Sequence, residues 1–219
     1  MALSPYTAIY EGKFSGAKAD THTTLSADES GRMEFRSVAK ARGFARMFKH
    51  DPIIEYTQFE DVDGRFRAIE YQYQFNQSGS KRNSWIKFDM EDMVARSMYK
   101  TELVELDINA NHVDRTLELL VVRADLMAGR SVDKYPYIDR NTLREAAYER
   151  LGTETIETSA GEFETVKYRR HRVGSRRSAL MWFAPELEYL PVQMQHFNED
   201  KLTGTIVLKH YALGSVTPR

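Results

Sequence analysis

The sequence predicts a mainly β protein, formed by one domain of antiparallel strands with one principal α-helix. Apolar and polar residues alternate with period two in most segments, which is typical of strands with one buried face. The 12 Tyr and 11 Phe residues suit the pleated surface of a sheet. One interval, from Asp114 to Gly129, has helical spacing instead.

The alternating segments follow one another closely and are separated by turn residues. They include Met33–Val38, Ile69–Phe75 and Ile86–Met90. The pair Asp63-Gly64 lies between two such segments and is the strongest short-range hairpin signal in the chain. This order predicts a meander of neighbouring strands.

The helical interval has apolar residues at the spacing of one helix face, namely Val113, Leu117, Leu120, Val121 and Ala124. Asp114 is a suitable N-cap, and Gly129 suits the position that follows the last turn. We therefore predict a helix at about residues 114–128. Its apolar stripe must be buried, either over an open face of the sheet or as a plug at one end.

A second segment is ambiguous between helix and strand. Asn141–Tyr148 has good helix propensity, but Arg144–Thr155 also suits a strand, and propensity is a weak guide. We predict a strand there. Residues 1–214 are expected to form one β-rich domain, with a frayed tail at 215–219.

Composition excludes several classes of function. The chain of 219 residues has a net charge of −1, so no overall field attracts nucleic acid. It has no Cys, which excludes disulfides and thiolate chemistry, and no apolar run long enough to span a membrane. Glycine-rich nucleotide motifs and paired histidines at metal-ligand spacing are also absent from the sequence. We predict no cofactor, no metal and no catalytic residue.

The sharpest local feature is the basic run from Lys167 to Arg177. If Gly174-Ser175 forms a two-residue type II′ turn, Arg172 lies opposite Arg177, and in the neighbouring register it lies opposite Arg176. Either register places like charges across a hairpin, which is unfavourable unless they are neutralised.

Two interpretations of this run remain open. Alternation places Arg170 and Arg172 on the same face as Tyr168, where they could bind a phosphate, a carboxylate or an acidic glycan. Alternatively, the hairpin is a solvated surface whose charges are paired with Glu162 and Glu164.

Several segments resemble a bacterial exported family, the domain-of-unknown-function family three-one-zero-eight. The segments are Tyr10-Glu11-Gly12, Asp114-Arg115-Thr116-Leu117, Leu151–Thr158, Gly161–Lys167, Leu180–Pro185 and Leu190-Pro191-Val192. The resemblance implies a curved, largely antiparallel sheet and a secreted, periplasmic protein whose leader is cleaved. It implies no catalytic residues.

With this resemblance, the predicted fold is a strongly curved antiparallel sheet or open barrel of about ten strands, crossed by the helix. A concave surface of that kind can bind a lipid or a glycan through aromatic residues that otherwise belong to the core. The candidate ligand-binding residues are Arg170, Arg172, Arg177, Tyr168, Trp182, Tyr71 and Tyr73.

The predicted function is a non-catalytic periplasmic binding or carrier module for an apolar or anionic amphiphilic ligand, such as a lipid or glycolipid. One alternative is a lyase or glycosidase that acts on an acidic polysaccharide, using carboxylates or a Tyr168–His171–Arg170 group. Another is a structural envelope protein that docks a partner through a sheet edge. A deep apolar cavity would favour the first function, a polar cleft with converging titratable groups the second, and a filled interior with a flat sheet edge the third.

Overall fold

Strand alternation determines the architecture. The computed structural model describes residues 3–14, 16–43, 51–77 and 80–214. Strands in the first half are β1 (Tyr6–Phe14), β2 (Ala17–Ala27), β3 (Met33–Arg42), β4 (Ile53–Val62), β5 (Arg65–Gln74), β6 (Asn76–Gln77), β7 (Ser80–Lys81), β8 (Ser84–Asp89), β9 (Val94–Tyr99) and β10 (Glu102–Asp107). The second half contains β11 (Val113–Asp114), helix α1 (Leu117–Met127), β12 (Lys134–Asp139), β13 (Thr142–Thr158), β14 (Gly161–Arg172), β15 (Arg177–Ala184), a 3-10 turn (Pro185–Leu187), β16 (Leu190–Asn198) and β17 (Lys201–Leu213).

Fifteen of these strands form one curved sheet, in the order β10-β9-β8-β5-β4-β3-β2-β1-β17-β16-β15-β14-β13-β12-β11. Its neighbours pair antiparallel, except that β11 pairs parallel with β12. This confirms the mainly β fold with one helix. The expectation of about ten strands is wrong, because tight turns such as the one at Lys100 (φ 58°) divide the chain into more and shorter strands.

The sheet curves without closing, and polar contacts join its two ends. Thr57 Oγ1 on β4 donates a hydrogen bond to Asp114 Oδ2 on β11, over 2.6 Å. Ser97 Oγ on β9 donates to Asn141 Oδ1, between β12 and β13, over 2.8 Å. These two hydrogen bonds stabilise the curvature of the sheet, because they join strands from its first and second halves.

Helix α1 fills that concave face. Leu117, Leu120, Val122 and Ala124 are all buried, although they do not lie on one stripe of the helix. A helix that is buried around its circumference has protein on all sides. The predicted helix is therefore confirmed, but it is shorter than expected and lies within the curve of the sheet instead of covering an opening.

The C-terminal end of the helix follows the sequence prediction, whereas the N-cap residue is Thr116 and not Asp114, because the helix begins at Leu117. Asp114 still serves the first turn from two residues further upstream. Asp114 Oδ1 accepts hydrogen bonds from the backbone N–H groups of Thr116 and Leu117, over 2.8 and 2.9 Å. These bonds satisfy donors that have no partner within the helix. At the other end, Gly129 follows the C-cap residue Ala128 with a φ of 66°, which glycine adopts without steric cost.

The predicted Asp63-Gly64 hairpin turn and the predicted strand at Arg144–Thr155 are both confirmed. Asp63 and Gly64 both have positive φ and connect Val62 to its partner Arg65, as a type I′ turn requires. The ambiguous segment from Arg144 to Thr155 lies within strand β13. The expected frayed tail at 215–219 lies outside the described residues.

The predicted type II′ turn at Gly174-Ser175 is wrong. The Ser175 N–H donates to the Arg172 carbonyl over 3.0 Å, so Val173 and Gly174 are the central residues of this turn. Gly174 has a φ of 72° at the second central position. The connection between β14 and β15 is therefore longer than two residues, since Ser175 and Arg176 follow the turn before β15 begins.

A buried ion pair anchors the helix to the sheet. Arg170 on β14 donates from Nη2 to Glu118 Oε2 over 2.7 Å, and its Nε lies 3.1 Å from the same oxygen. The Glu118 side chain is only 2% exposed. Tyr148 donates its hydroxyl to Glu118 Oε1 over 2.5 Å, so the carboxylate is held from β13 and β14 at once.

We expect Asp114→Asn to remove one component of the pH dependence of stability. Burial raises the pKa of Asp114 to about 6, from an ordinary value of 3.8. The folded protein then binds more protons than the unfolded chain between these values, so the free energy of unfolding falls as the pH rises from about 4 to about 6. Asn keeps an acceptor for the helix N–H groups but cannot ionise.

Urea unfolding at several pH values between 4 and 7 measures this effect. Asp114→Ala serves as the comparison, because it removes the capping acceptor and should lower stability by about 2 kcal/mol at pH 4, where the parent carboxyl is protonated. A pH profile for Asp114→Asn that matches the parent would contradict the assignment.

We expect Arg170→Met to lower the free energy of unfolding by about 3–5 kcal/mol, because it leaves the buried Glu118 carboxylate without its cation. Adding Glu118→Gln should recover much of the loss, since Gln is uncharged and still accepts the Tyr148 hydroxyl. Arg169→Met is the matched control, because its exposed partner Glu149 limits the cost to about 1 kcal/mol. Equal losses for Arg169→Met and Arg170→Met, measured by denaturant unfolding, would exclude an anchoring role.

Candidate functional site

Strands β13 to β16 present a group of basic side chains on the concave side of the sheet. We call it the arginine face, and it comprises Arg144, Arg170, Arg172, Arg177 and His196. The first four are permanently charged. It lies beyond the part of the concave side that helix α1 occupies most tightly.

Strand register places these residues on one face. Arg170 pairs with Tyr148 on β13 and with Ala179 on β15, and Ala179 pairs with His196 on β16. Arg172 lies two residues after Arg170 on β14, and Arg177 lies two residues before Ala179 on β15. Side chains two residues apart in a strand point to the same side, so both arginines share the face of Arg170. The pair His171–Ser178 is the last that joins β14 to β15, so Arg172 and Arg177 face each other where the hairpin opens.

The remaining arginine belongs to the neighbouring strand. Arg144 lies two residues before Ala146, which pairs with Arg172. It therefore lies diagonally across from Arg172 on the same face. The guanidinium carbon of Arg170 lies 5.3 Å from the ring centre of Tyr137, the partner of Arg144 on β12.

Internal carboxylates neutralise only part of this charge. Glu118 pairs with Arg170, whereas no ion pair joins Arg144, Arg172 or Arg177 to any carboxylate in the described residues. Arg172 Nη2 donates to Ser175 Oγ over 3.0 Å, and the buried Nε of Arg144 has no acceptor there. Three cationic groups therefore converge without a counter-charge of their own.

The expected neutralisation by Glu162 and Glu164 is wrong. Glu164 accepts a hydrogen bond from Thr155 on the neighbouring strand, and neither acid forms an ion pair with the hairpin arginines among the described residues. Both lie near the start of β14, at the opposite end from Arg172. The arginines that do pair outside the face are Arg169, with Glu149, and Arg176, with Glu199.

His196 reports the local positive field. Burial lowers its pKa, and the charges of Arg170 and Arg115 lower it further. The imidazole is therefore neutral at pH 7 and can accept or donate a hydrogen bond without adding charge. An anion bound beside it would raise this pKa, because it would offset the two guanidinium charges.

An apolar patch adjoins the arginine face on β1, β16 and β17. The ring of Phe14 lies directly on Gly204, where a β-carbon would overlap it, and its centre is 5.8 Å from the ring centre of His196. Phe14 is 40% exposed, and Met194 and Ile206 are half-buried next to it on the same face. Cationic and apolar surfaces therefore meet at His196.

Tyr71 and Tyr73 lie elsewhere, in a polar network at the start of helix α1. Tyr71 is buried and donates its hydroxyl to Glu55 Oε1 over 2.9 Å. The same Glu55 oxygen pairs with Arg115 Nη2 over 2.9 Å, and the Arg115 guanidinium lies 5.5 Å from the ring centre of Tyr73. Asp139 lies 3.7 Å from Arg115, so this network is internally neutralised.

Tyr168 and Trp182 are also buried. Tyr168 lies in the core between Tyr148 and Phe183, with ring centres 6.5 and 6.0 Å away. Trp182 is on the opposite face of β15, where its indole N–H donates to Glu154 over 2.8 Å beneath Lys167. Of the aromatic candidates, only Tyr73 keeps part of its surface exposed.

The proposed Tyr168–His171–Arg170 group is not assembled. Tyr168 and Arg170 face the concave side, but His171 lies between Arg170 and Arg172 on β14 and points to the other side. This correction follows from the period-two geometry of an unbroken strand. It removes one of the two residue sets suggested for a lyase or glycosidase and leaves the carboxylate alternative untouched.

Sequence analysis missed Arg144 and the role of His196. The sequence contained a signal for Arg144, since it lies two and four residues before Ala146 and Tyr148 in β13 and therefore shares their face. Recognising it required knowledge of which strands pair with β14. His196 was not among the candidate ligand-binding residues. In the described residues no cluster of three or more His, Asp or Glu side chains could hold a metal ion.

The fold resembles that of solved proteins of low sequence identity. A beta-barrel-like protein of domain of unknown function DUF1849 from Brucella abortus matches with a TM-score of 0.62 and 10% identity, over 99% of this chain and 100% of that chain. The complex of MucA and MucB from Pseudomonas aeruginosa matches with a TM-score of 0.45 and 9% identity, over 98% of this chain and 53% of that chain. At these identities the first match shows a shared fold alone, and the second is too distant to support an argument.

Two further findings concern the chain itself. No curated protein matches it. In the described part of the chain, no helix combines the length and the hydropathy needed to cross a membrane.

The predicted family is confirmed by a match that spans most of the sequence. Residues 6–209 match the family described as protein of unknown function (DUF3108). This range includes the strands of the arginine face and helix α1. The chain therefore belongs to the DUF3108 family.

Proposed function

We propose that this protein is a non-catalytic binding module of the bacterial cell envelope, whose arginine face holds the anionic group of a lipid or glycolipid. The observation that carries this proposal is the convergence of Arg144, Arg172 and Arg177 without carboxylate partners in the described residues. Like charges on one face repel unless an anion neutralises them. Guanidinium groups bind phosphate and carboxylate through paired hydrogen bonds.

The neighbouring apolar patch favours an amphiphile over a small inorganic anion. Phe14, Met194 and Ile206 are exposed or half-buried beside His196, within the same concave side. An acyl chain laid against them would be removed from water while its headgroup reached the arginines. Burial of apolar area contributes roughly 25 cal/mol per Å².

Helix α1 limits the form that binding can take. Because the helix fills the concave side, the ligand would lie across the rim and not within a deep apolar cavity. The exported, periplasmic location is part of the proposal and rests on what the resemblance to the family implies. A carrier that presents its ligand at a rim can also exchange it with another envelope component.

Two observations favour docking of a partner as a second function. The first is that helix α1 fills the concave side, as expected of a structural protein, and the second is an open edge of the sheet. Strand β10 forms an edge of the large sheet, and Leu103 on it is 60% exposed. An edge strand offers unpaired backbone groups to an added strand. Glu102, Glu105 and Asp107 would make this edge selective for a basic peptide.

We expect the double variant Arg172→Gln/Arg177→Gln to bind a lauroyl lysophosphatidylglycerol, kept below its micelle concentration, about tenfold more weakly than the parent does. Loss of charge-assisted hydrogen bonds accounts for a change of this size. The binding of the parent should weaken with added salt, and that of the variant much less so. The thermal midpoint should stay the same or rise, because like-charge repulsion is removed. Isothermal titration and thermal melts measure both effects.

The matched control is Arg169→Gln/Arg176→Gln, which removes equal charge from the same hairpin outside the arginine face. It should bind as the parent does. Lysophosphatidylcholine of the same chain length, which has no net charge, should bind the parent more weakly. Equal affinity of both double variants for the anionic lipid would refute the proposal, as would a parent that binds neither lipid.

A further inference from the structure

We propose a second binding site, on the outer side of the sheet, for a neutral glycan chain. The outer groove is a hollow of about 580 Å³ over β5 and β8, lined by Glu70, Gln72, Gln74, Asn83, Trp85 and Lys87. Its volume lies within the range that small-ligand sites occupy. The site is independent of the arginine face and of the function proposed for it.

Strand alternation places the outer groove on the side of the sheet opposite helix α1. Tyr71 on β5 and Ile86 on β8 are paired, and both are buried in one core cluster. The next pair, Gln72 with Trp85, must therefore face outward. A ligand bound there cannot contact the arginine face, which lies on the concave side.

The indole ring of Trp85 supplies a stacking surface, and its N–H group can donate a hydrogen bond. Its side chain is half-buried, and its indole N–H has no hydrogen-bond partner within the described residues. A half-exposed indole offers a flat apolar face to the C–H groups of a sugar ring. The free N–H can donate to a hydroxyl at the edge of that ring.

Side-chain amides beside Trp85 have free hydrogen-bonding groups. Gln72 Nε2 donates to Glu70 Oε1 over 2.7 Å, which leaves the Gln72 carbonyl oxygen available. Asn83 Oδ1 accepts from the Phe75 N–H over 3.2 Å, which leaves the Asn83 amino group available. Gln74 is exposed at the end of β5. The groove therefore offers both hydrogen-bond donors and acceptors, and a sugar hydroxyl group can both donate and accept a hydrogen bond.

The charge balance of the outer groove favours a neutral ligand. Glu70 and Lys87 are cross-strand partners, so their opposite charges offset each other. Among the described residues that line the groove, no charge is left unbalanced that would attract a phosphate or a polyanion. Stacking, amides and neutrality together indicate a hydroxyl-rich chain of sugars.

The probe for this site is a tetramer of β-1,4-linked N-acetylglucosamine, compared with the matched glucose tetramer. We expect the parent to bind at least one of them, and Trp85→Ala to bind it about tenfold more weakly, because stacking is lost. Gln72→Ala/Gln74→Ala, which changes only surface amides, should weaken binding severalfold. Saturation-transfer NMR and isothermal titration measure these affinities at millimolar sugar.

The control is Arg172→Gln/Arg177→Gln, which should bind the sugars as the parent does. Conversely, Trp85→Ala should keep the affinity of the parent for lysophosphatidylglycerol, so failure at one site is distinguishable from failure at the other. The inference is overturned if the parent binds neither tetramer. It is also overturned if the glutamine double variant binds as the parent does, a result that does not depend on the folding of Trp85→Ala.

Discussion

The burial of helix α1 within a curved sheet is the constraint on which the rest of the structure depends. Two of its charged residues, Glu118 and Arg123, are buried, so their polar groups depend on partners inside the protein. The Nη1 and Nη2 atoms of Arg123 have no hydrogen-bond partner in the described residues, whereas Asp125 is partly exposed and pairs with Arg130. Glu118 finds Arg170 and the Tyr148 hydroxyl. Arg123 is fully buried, and its Nε donates to the Glu188 carbonyl while its guanidinium lies 4.8 Å from the ring centre of Tyr6. The helix is thus held by polar contacts as well as by apolar packing.

This constraint also divides the arginines of the β14–β15 hairpin by role. Arg170 is committed to Glu118, because an unpaired carboxylate in the core would cost several kcal/mol. Arg172 and Arg177, two residues nearer the turn, lie beyond the reach of the helix and keep their charge uncompensated by any ion pair in the described residues. A single strand therefore contains a structural arginine and a candidate ligand-binding arginine on the same face. Their difference arises from the position of Glu118 and not from their own sequence context.

The two proposed sites use opposite sides of one sheet. The concave side combines arginines with an apolar patch at Phe14, which suits an amphiphile with an anionic head. The outer side combines Trp85 with amides and a balanced pair of charges, which suits a neutral glycan. The two sites are also on different strands, β13 to β16 for the first and β5 with β8 for the second.

The sequence by itself determined the class of the fold, the place of the helix and the Asp63-Gly64 turn, because these depend on local periodicity and on backbone conformations that few residues adopt. It also determined which side of β14 presents Arg170 and Arg172. Only the tertiary structure decided that Glu118 neutralises Arg170, that Arg144 joins Arg172 and Arg177, and that Tyr168 and Trp182 are buried. Those outcomes depend on which strands pair and on what fills the concave side. Contacts between residues more than 50 positions apart, such as Arg170 with Glu118, leave no periodic trace in the chain.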